Sequence, residues 1–456
     1  MIRLRVKLRR QLAPSLFLML AMFGSAHAGS ENTPTAAVAS TDASLPESPP
    51  PAPITPSENP DRDAPAPTTA VESASSQAAN PNHARELERA LTRYRQAIGE
   101  LDAYGPYNEH TSEALYGLGE TLKNQGLYNE ALTTLRRAMH INRVNHGLYS
   151  LSQAPILESI IETEKALNLF EDVTVSYDRL LNLFLRNHGA DHQSLIPVLR
   201  ELALWHVSLY QLDDSTSRVD HITSANGLIT AALKNAEGVP ELDTDARIDL
   251  LRITALVNLF ASRHEGDQWA TTLDAPYSAS ADPEFLSVSR MATLSKTGFK
   301  KGRLAHEQII KLAEREADTA PERKIAAYVE AGDWYLLFNR RDQAMEYYQH
   351  ARDLIAASDQ AQTLTEYWFG EPVFLPAMLA ASDPQSLPTQ YITAQADISE
   401  SGRPSQINLL EPSTQSGLSL RRSALNTIRQ ARFRPRFADG KAVSTTASKI
   451  RIPLVH

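Results

Sequence analysis

The sequence predicts a mainly α protein: a helical repeat solenoid followed by a small α+β domain of β-β-α-β order. Two observations carry this. From about residue 84, apolar residues recur at steps of three and four, and a unit of helix, turn and helix returns after 42 residues. After Trp368-Phe369-Gly370 the pattern changes to short alternating runs separated by turn residues, with one amphipathic helix among them.

The first 28 residues have the form of a secretory signal. Arg3, Arg5, Lys7, Arg9 and Arg10 make a basic start, Leu12 to Phe23 an apolar run, and Ala26-His27-Ala28 an A-x-A site that predicts cleavage before Gly29. The alternative is an uncleaved anchor facing the periplasm, but the apolar run is shorter than the ~20 residues that span a bilayer, and Pro14 interrupts it. Residues 29–83 hold 11 of the 27 prolines and no aromatic residue. Such a stretch buries too little apolar surface to offset its ordering entropy, so it is expected to be a disordered, semi-rigid linker.

The helical domain is expected over 84–360. Leu87, Leu91, Tyr94, Ile98 and Leu101 form one apolar helix face. Leu115, Leu118, Gly119 and Leu122 lie on the next helix, Asn124-Gln125-Gly126 forms a turn, and Tyr128, Ala131, Leu135 and Ala138 lie on its partner. A shift of 42 residues maps Leu115 onto Leu157, Leu135 onto Tyr177, and Asn145-His146-Gly147 onto Asn187-His188-Gly189. Tyr328, Ala331, Gly332, Tyr335, Ala344, Tyr348 and Ala351 make a further unit, whereas the helices between Asp213 and Lys300 resist phasing. These units resemble tetratricopeptide repeats, with a period lengthened as in kinesin light chain. The resemblance implies a concave surface lined by first helices. Tyr116, Glu120, Lys123, Asn124, Glu158, Glu162 and Lys165 are its candidate protein-binding residues.

The C-terminal domain is expected over 372–456. Tyr391 to Ile398 and Ser405 to Leu410 read as strands around the turn Ser399-Glu400-Ser401-Gly402-Arg403; Ser416 to Ala431 reads as a helix, and Ser444 to Leu454 as a final strand. Phe433 is expected in the core and Pro435 at a segment end; Arg432, Arg434 and Arg436 are either solvated or in contact with acidic partners or polymers, and the sequence does not decide between these. The run Asp397-Ile398-Ser399-Glu400-Ser401-Gly402-Arg403, the helix residues Arg421-Arg422-Ser423-Ala424-Leu425, and Arg432-Phe433-Arg434-Pro435 before Asp439-Gly440-Lys441 resemble the TonB C-terminal domain family. The resemblance implies a terminal strand that accepts an extended segment from a partner such as an outer-membrane receptor or transporter. Ala447, Lys449, Ile450 and Arg451 are the corresponding candidates, and proline at Ala447 or Lys449, whichever amide points outward, should block capture. Energy transducers of that family keep a membrane anchor, which signal cleavage would remove here.

Composition narrows the chemistry. There is no cysteine, hence no disulfide, thiolate catalysis or thiolate metal site. The formal charge is −9, and −14 without the five basic signal residues, which argues against nucleic acid. Residues 390–456 alone carry +6. His188 and His192 have a spacing that can hold zinc, but an exposed loop explains them more simply. Gly117-Leu118-Gly119 lacks the strand that a phosphate loop follows. No catalytic constellation, cofactor motif or small-molecule site emerges. The expectation is a non-catalytic periplasmic adaptor that binds envelope proteins and is related to TonB-type transducers; the alternative is an envelope scaffold without energy coupling.

Overall fold

A computed structural model describes residues 81–212, 218–264, 283–315, 321–375, 390–410 and 418–454. The expected signal and the expected linker up to residue 80 lie outside these residues; its last three, Pro81 to His83, belong to a helix rather than to a linker. The described residues fall into two units that divide between Arg93 and Tyr94. In the first, residues 81–93 are the opening turns of helix α1 (Pro81–Asp102).

The second unit continues with consecutive helix pairs. These are α2 (Glu109–Asn124) with α3 (Tyr128–His146), α4 (Ala154–Ala166) with α5 (Phe170–His188), and α6 (Leu195–Leu212) with α7 (Arg218–Glu237). There follow α8 (Thr244–Arg263) with α9 (Pro283–Arg315) and α10 (Pro321–Leu337) with α11 (Arg341–Ala356). Each pair also packs against the next. α9 is 33 residues long, about twice its neighbours, which explains why a fixed period fails there.

Small residues set the approach within a pair. A Cβ on Gly119 would come within 2.6 Å of Leu135, and one on Gly332 within 2.4 Å of the Tyr348 ring. Gly117 likewise faces the Tyr94 ring at 2.4 Å, so both glycines of Gly117-Leu118-Gly119 are packing positions inside a helix. The turn within a pair repeats too. Gly126, Asn168 and Asn339 adopt positive φ of 75°, 56° and 59°. Just after each, Leu127, Leu169 and Arg340 donate their amides to carbonyls five residues back, at Leu122, Glu164 and Tyr335. This closes the helix end with the left-handed residue that glycine and asparagine tolerate best.

The recurrence of Asn-His-Gly has a physical cause. Asn145 Nδ2 donates to Ile141 O in its own helix and to Tyr107 O in the preceding loop, each at 3.0 Å. Asn187 repeats this with Leu183 O at 2.8 Å and Tyr149 O at 2.9 Å. The following Gly147 and Gly189 take φ of 87° and 81° and let the chain leave the helix. The amide thus fastens each loop to the end of the next pair, at the same 42-residue step.

After α12 (Ala361–Phe369) the strands begin. β2 (Gln390–Ile398) lies between β3 (Pro404–Leu409) and β7 (Thr445–Leu454) in an antiparallel sheet of order β3-β2-β7. α13 (Leu418–Gln430) follows β3, and its Ile428 is buried in the core formed with Ala394, Ala396, Ile398, Phe433 and Ile450. The β-β-α-β order is therefore present, with additions. β1 (Val373–Leu375) pairs antiparallel with β4 (Arg432–Arg434), and β5 (Arg436–Ala438) with β6 (Lys441–Val443). Gly402, at φ 72°, lies so close to β4 that a Cβ would meet Phe433 O at 1.9 Å, while Phe433 N donates to Gly402 O at 2.9 Å.

Ala344 is fully buried at the crossing of α10 and α11, beside Tyr348. Ala344→Phe should overpack this crossing at a cost of ~1–3 kcal/mol. A thermal unfolding midpoint unchanged from wild type would show that the crossing has room.

Candidate protein-binding site

Three of the seven first-helix candidates, Glu120, Lys123 and Glu162, are brought together to satisfy one another. Lys123 bridges Glu120 on its own helix, at 2.9 Å, and Glu162 on α4. Burial works against the Lys123 ammonium, but its bonds to Glu162 and Glu120 outweigh this and raise its pKa. Lys165 Nζ sits over the rings of Tyr177 and Trp205, 5.3 and 6.0 Å from their centroids, and so links α4 to α6. Beyond, Arg200 pairs with Asp249, and Arg252 holds Glu330 in a two-pronged pair. The first helices are thus stitched by charge rather than presenting it. Asn124 and Glu158 are exposed and Tyr116 half-buried. Partial burial, then the neighbouring Glu162, raises the Glu158 pKa. His188 and His192 stack at 4.6 Å, and His192 Nδ1 is engaged by Ser194.

The arginines of the C-terminal domain, left open by the sequence, have distinct places. Arg434 is not solvated: it is 3% exposed, 3.5 Å from Asp333 of α10, and its guanidinium faces the rings of Trp368 and Phe369. Tyr348 donates its hydroxyl to the same carboxylate at 2.7 Å. Arg432 is half-buried and donates twice to Asn339 Oδ1, the left-handed residue of the last pair's turn. Only Arg436 is exposed. Phe433 fills the core as expected, and Phe437 packs edge-on against Tyr348 and Phe369. The last helix pair and the C-terminal domain therefore share apolar contacts and a buried ion pair.

The expected binding strand is β7, which among the described residues pairs on one side only. Hydrogen-bond parity shows which of its amides are open. Thr393 of β2 accepts from Leu410 N at 2.9 Å, so its main-chain groups face β3. Its partner across the other ladder is Arg451. In an antiparallel pair both residues point the same way relative to the ladder, so Arg451 turns its N–H and C=O outward. Lys449, two residues back and opposite Gln395, does the same. Pro453, two residues on, is in this set as well, which is why a residue without an N–H fits there.

Ala447 and Ile450 have other roles than expected. Two residues of β7, Thr446 and Ala447, oppose Asp397 alone, forming a bulge. Ala447 has φ of 55°, and its N–H is taken by Asp397 Oδ1 at 2.8 Å. Proline cannot adopt that φ, so proline at Ala447 would break the bulge rather than probe the edge. Ile450 is 5% exposed in the domain core. Asp397 was identified in the sequence only as part of a resemblance; its task is to hold this bulge.

A cleft of about 440 Å³ opens beside the edge of β7. Phe433 in its lining is buried and Phe374 half-buried, whereas Lys449 and the rim residues Glu366, Tyr367 and Glu371 are exposed.

Residues 391–453 match the family described as Gram-negative bacterial TonB protein C-terminal, a span that runs from β2 into β7. The C-terminal region thus holds a TonB C-terminal domain, and the helical body is consistent with a repeat fold. No curated protein matches the chain. Among solved structures, the crystal structure of BtubC (BKLC) from P. vanneervenii is similar at 13% identity, covering 59% of this chain and 91% of that one, with a TM-score of 0.35. At that level it carries no argument about fold or function.

The buried pair makes a sharp prediction. Asp333→Asn makes this position permanently neutral, and its effect is read by denaturant unfolding across pH. Burial holds the Asp333 carboxyl at about 6, while Arg434 and Tyr348 pull it down. Because this lies above the ordinary carboxylate value, the proton-linked stability is fully present below about pH 4 and lost as pH rises through about 6. Asp333→Asn should abolish that slope; an identical slope in the variant would place its source elsewhere.

Proposed function

We propose that the protein is a non-catalytic periplasmic adaptor whose β7 edge accepts an extended segment of an envelope protein, such as an outer-membrane receptor or transporter. The observation that carries this is the pair of outward amides at Lys449 and Arg451 on the unpaired side of a TonB C-terminal domain. An open edge is a template for another strand, and main-chain bonding along it supplies affinity without demanding a particular side chain. The helical body, read as tetratricopeptide-like repeats, would hold a second partner; Glu158 and Asn124 are exposed candidates there that lie outside the Lys123 ion pairs. Export by a cleaved signal is part of this reading. Among the described residues no helix is long and apolar enough to cross a membrane.

One observation favours the scaffold alternative. The C-terminal domain is fastened to the last helix pair by Arg434–Asp333, Arg432–Asn339 and Arg341–Glu400. That attachment suits a fixed docking platform with no energy coupling.

The test is Lys449→Pro. Its amide faces outward, so the ladder to β2 should survive and the fold with it. Capture of an extended partner peptide should fall by at least about tenfold, the equivalent of one or two main-chain hydrogen bonds. Circular dichroism checks the fold and fluorescence anisotropy the binding. A folded variant that binds as well as wild type would remove strand addition and leave the scaffold reading ahead.

A further inference from the structure

The rim of the cleft beside β7 has a chemistry of its own. Glu366 and Glu371 have no ion pair among the described residues, and both are exposed. The Glu366 carboxylate lies over Gly370: a Cβ there would meet its Oε1 at 2.7 Å. Glycine at 370 therefore makes the room in which this carboxylate sits. Between the two in sequence, Tyr367 is 73% exposed. That ring is held edge-on to Trp368, at 5.0 Å and 88°, and the Arg434 guanidinium backs Trp368 at 5.5 Å. The domain carries an excess of positive charge, yet this rim offers two carboxylates and an aromatic face. Lys449, which also lines the cleft, is not within ion-pair distance of either carboxylate.

We propose that the cleft selects an arginine or lysine side chain on the strand that pairs with β7. This rests on strand addition at that edge and names the class of segment it takes: extended, with alternating apolar residues and one basic residue. The main chain of such a segment bonds to Lys449 and Arg451, and its basic side chain lies against Tyr367 between Glu366 and Glu371. A cation on an aromatic face flanked by carboxylates gains both attractions at once. Phe374 and Phe433, in the lining of the cleft, receive the aliphatic stem of that side chain. An acidic residue at the same position meets like charge and is rejected.

The experiment is selection of a randomised eight-residue peptide display library on the immobilised full-length chain, on Glu366→Gln/Glu371→Gln, and on Lys449→Pro. Wild type should enrich alternating apolar sequences with arginine or lysine at one fixed position, about tenfold over glutamate there. The double glutamine variant should keep the alternation and lose the basic preference to within about twofold. Lys449→Pro should enrich neither. Alternation without a basic position in wild type, or a basic position that persists in the glutamine variant, overturns the selection by the rim and leaves strand addition standing. No enrichment by wild type overturns both. A wild-type chain that sediments as a dimer, with Lys449→Pro a monomer, would show that a second copy occupies the edge and would also overturn the inference.

Discussion

The contact between Arg434 and Asp333 constrains everything C-terminal to the helices. Taking both charges out of water is costly, and the pair recovers that only if each stays opposite the other. Asp333 accepts a second bond from the buried Tyr348 hydroxyl, and Tyr348 in turn needs Gly332 beside it to fit between α10 and α11. The guanidinium spends its remaining surface on the faces of Trp368 and Phe369 instead of on hydrogen bonds. A shift of the C-terminal domain by even one residue along β4 would strand both charges and uncover both rings. The pair therefore acts as a register lock, while Phe437, Phe369 and Leu375 supply the apolar area that makes the seam adhere.

A sheet with an unpaired edge must remain available without inviting every other edge. β7 meets this with devices visible in its backbone. The bulge at Ala447 ends regular pairing at one end, and the missing amide of Pro453 blocks it at the other. What remains open is short: the two outward amides at Lys449 and Arg451. A window of that length suits a brief extended segment better than a long strand, and the exposed Lys449 side chain adds a charge that discourages self-pairing.

Much of the helical body could be read from residue spacing, because its determinants are local. Asn145-His146-Gly147 and Asn187-His188-Gly189 stand 42 residues apart since each asparagine ties a loop to a helix end at the same step. Gly119 and Gly332 mark crossings where only a missing side chain fits. The β-β-α-β order was legible for the same reason: alternation and turn residues are written along each strand. What escaped depends on partners distant in sequence. The place of Arg434 could not be read because its counter-charge lies 101 residues away, on α10. Ala447 looked like an ordinary strand residue because its positive φ is imposed by Asp397 across the ladder. Lys123 and Lys165 looked like groove residues, but Glu162, Tyr177 and Trp205 from neighbouring helices had already claimed them.

The placement of the long Pro-rich stretch then acquires meaning. It precedes the helices, and the step from α12 to β1 takes only three residues, Gly370 to Pro372. A partner strand seated on β7 therefore pulls on β2, on the core around Phe433 and, through Arg434, on α10. Among the described residues, β1 follows α12 without a spacer that could absorb such a load. The last helix pair is in turn joined to α8 by the ion pair Arg252–Glu330. For a transducer this is the arrangement that transmits; for a scaffold it is the arrangement that fixes an angle. The two readings thus make the same demand on the seam and differ only in what lies at the far end of the helices.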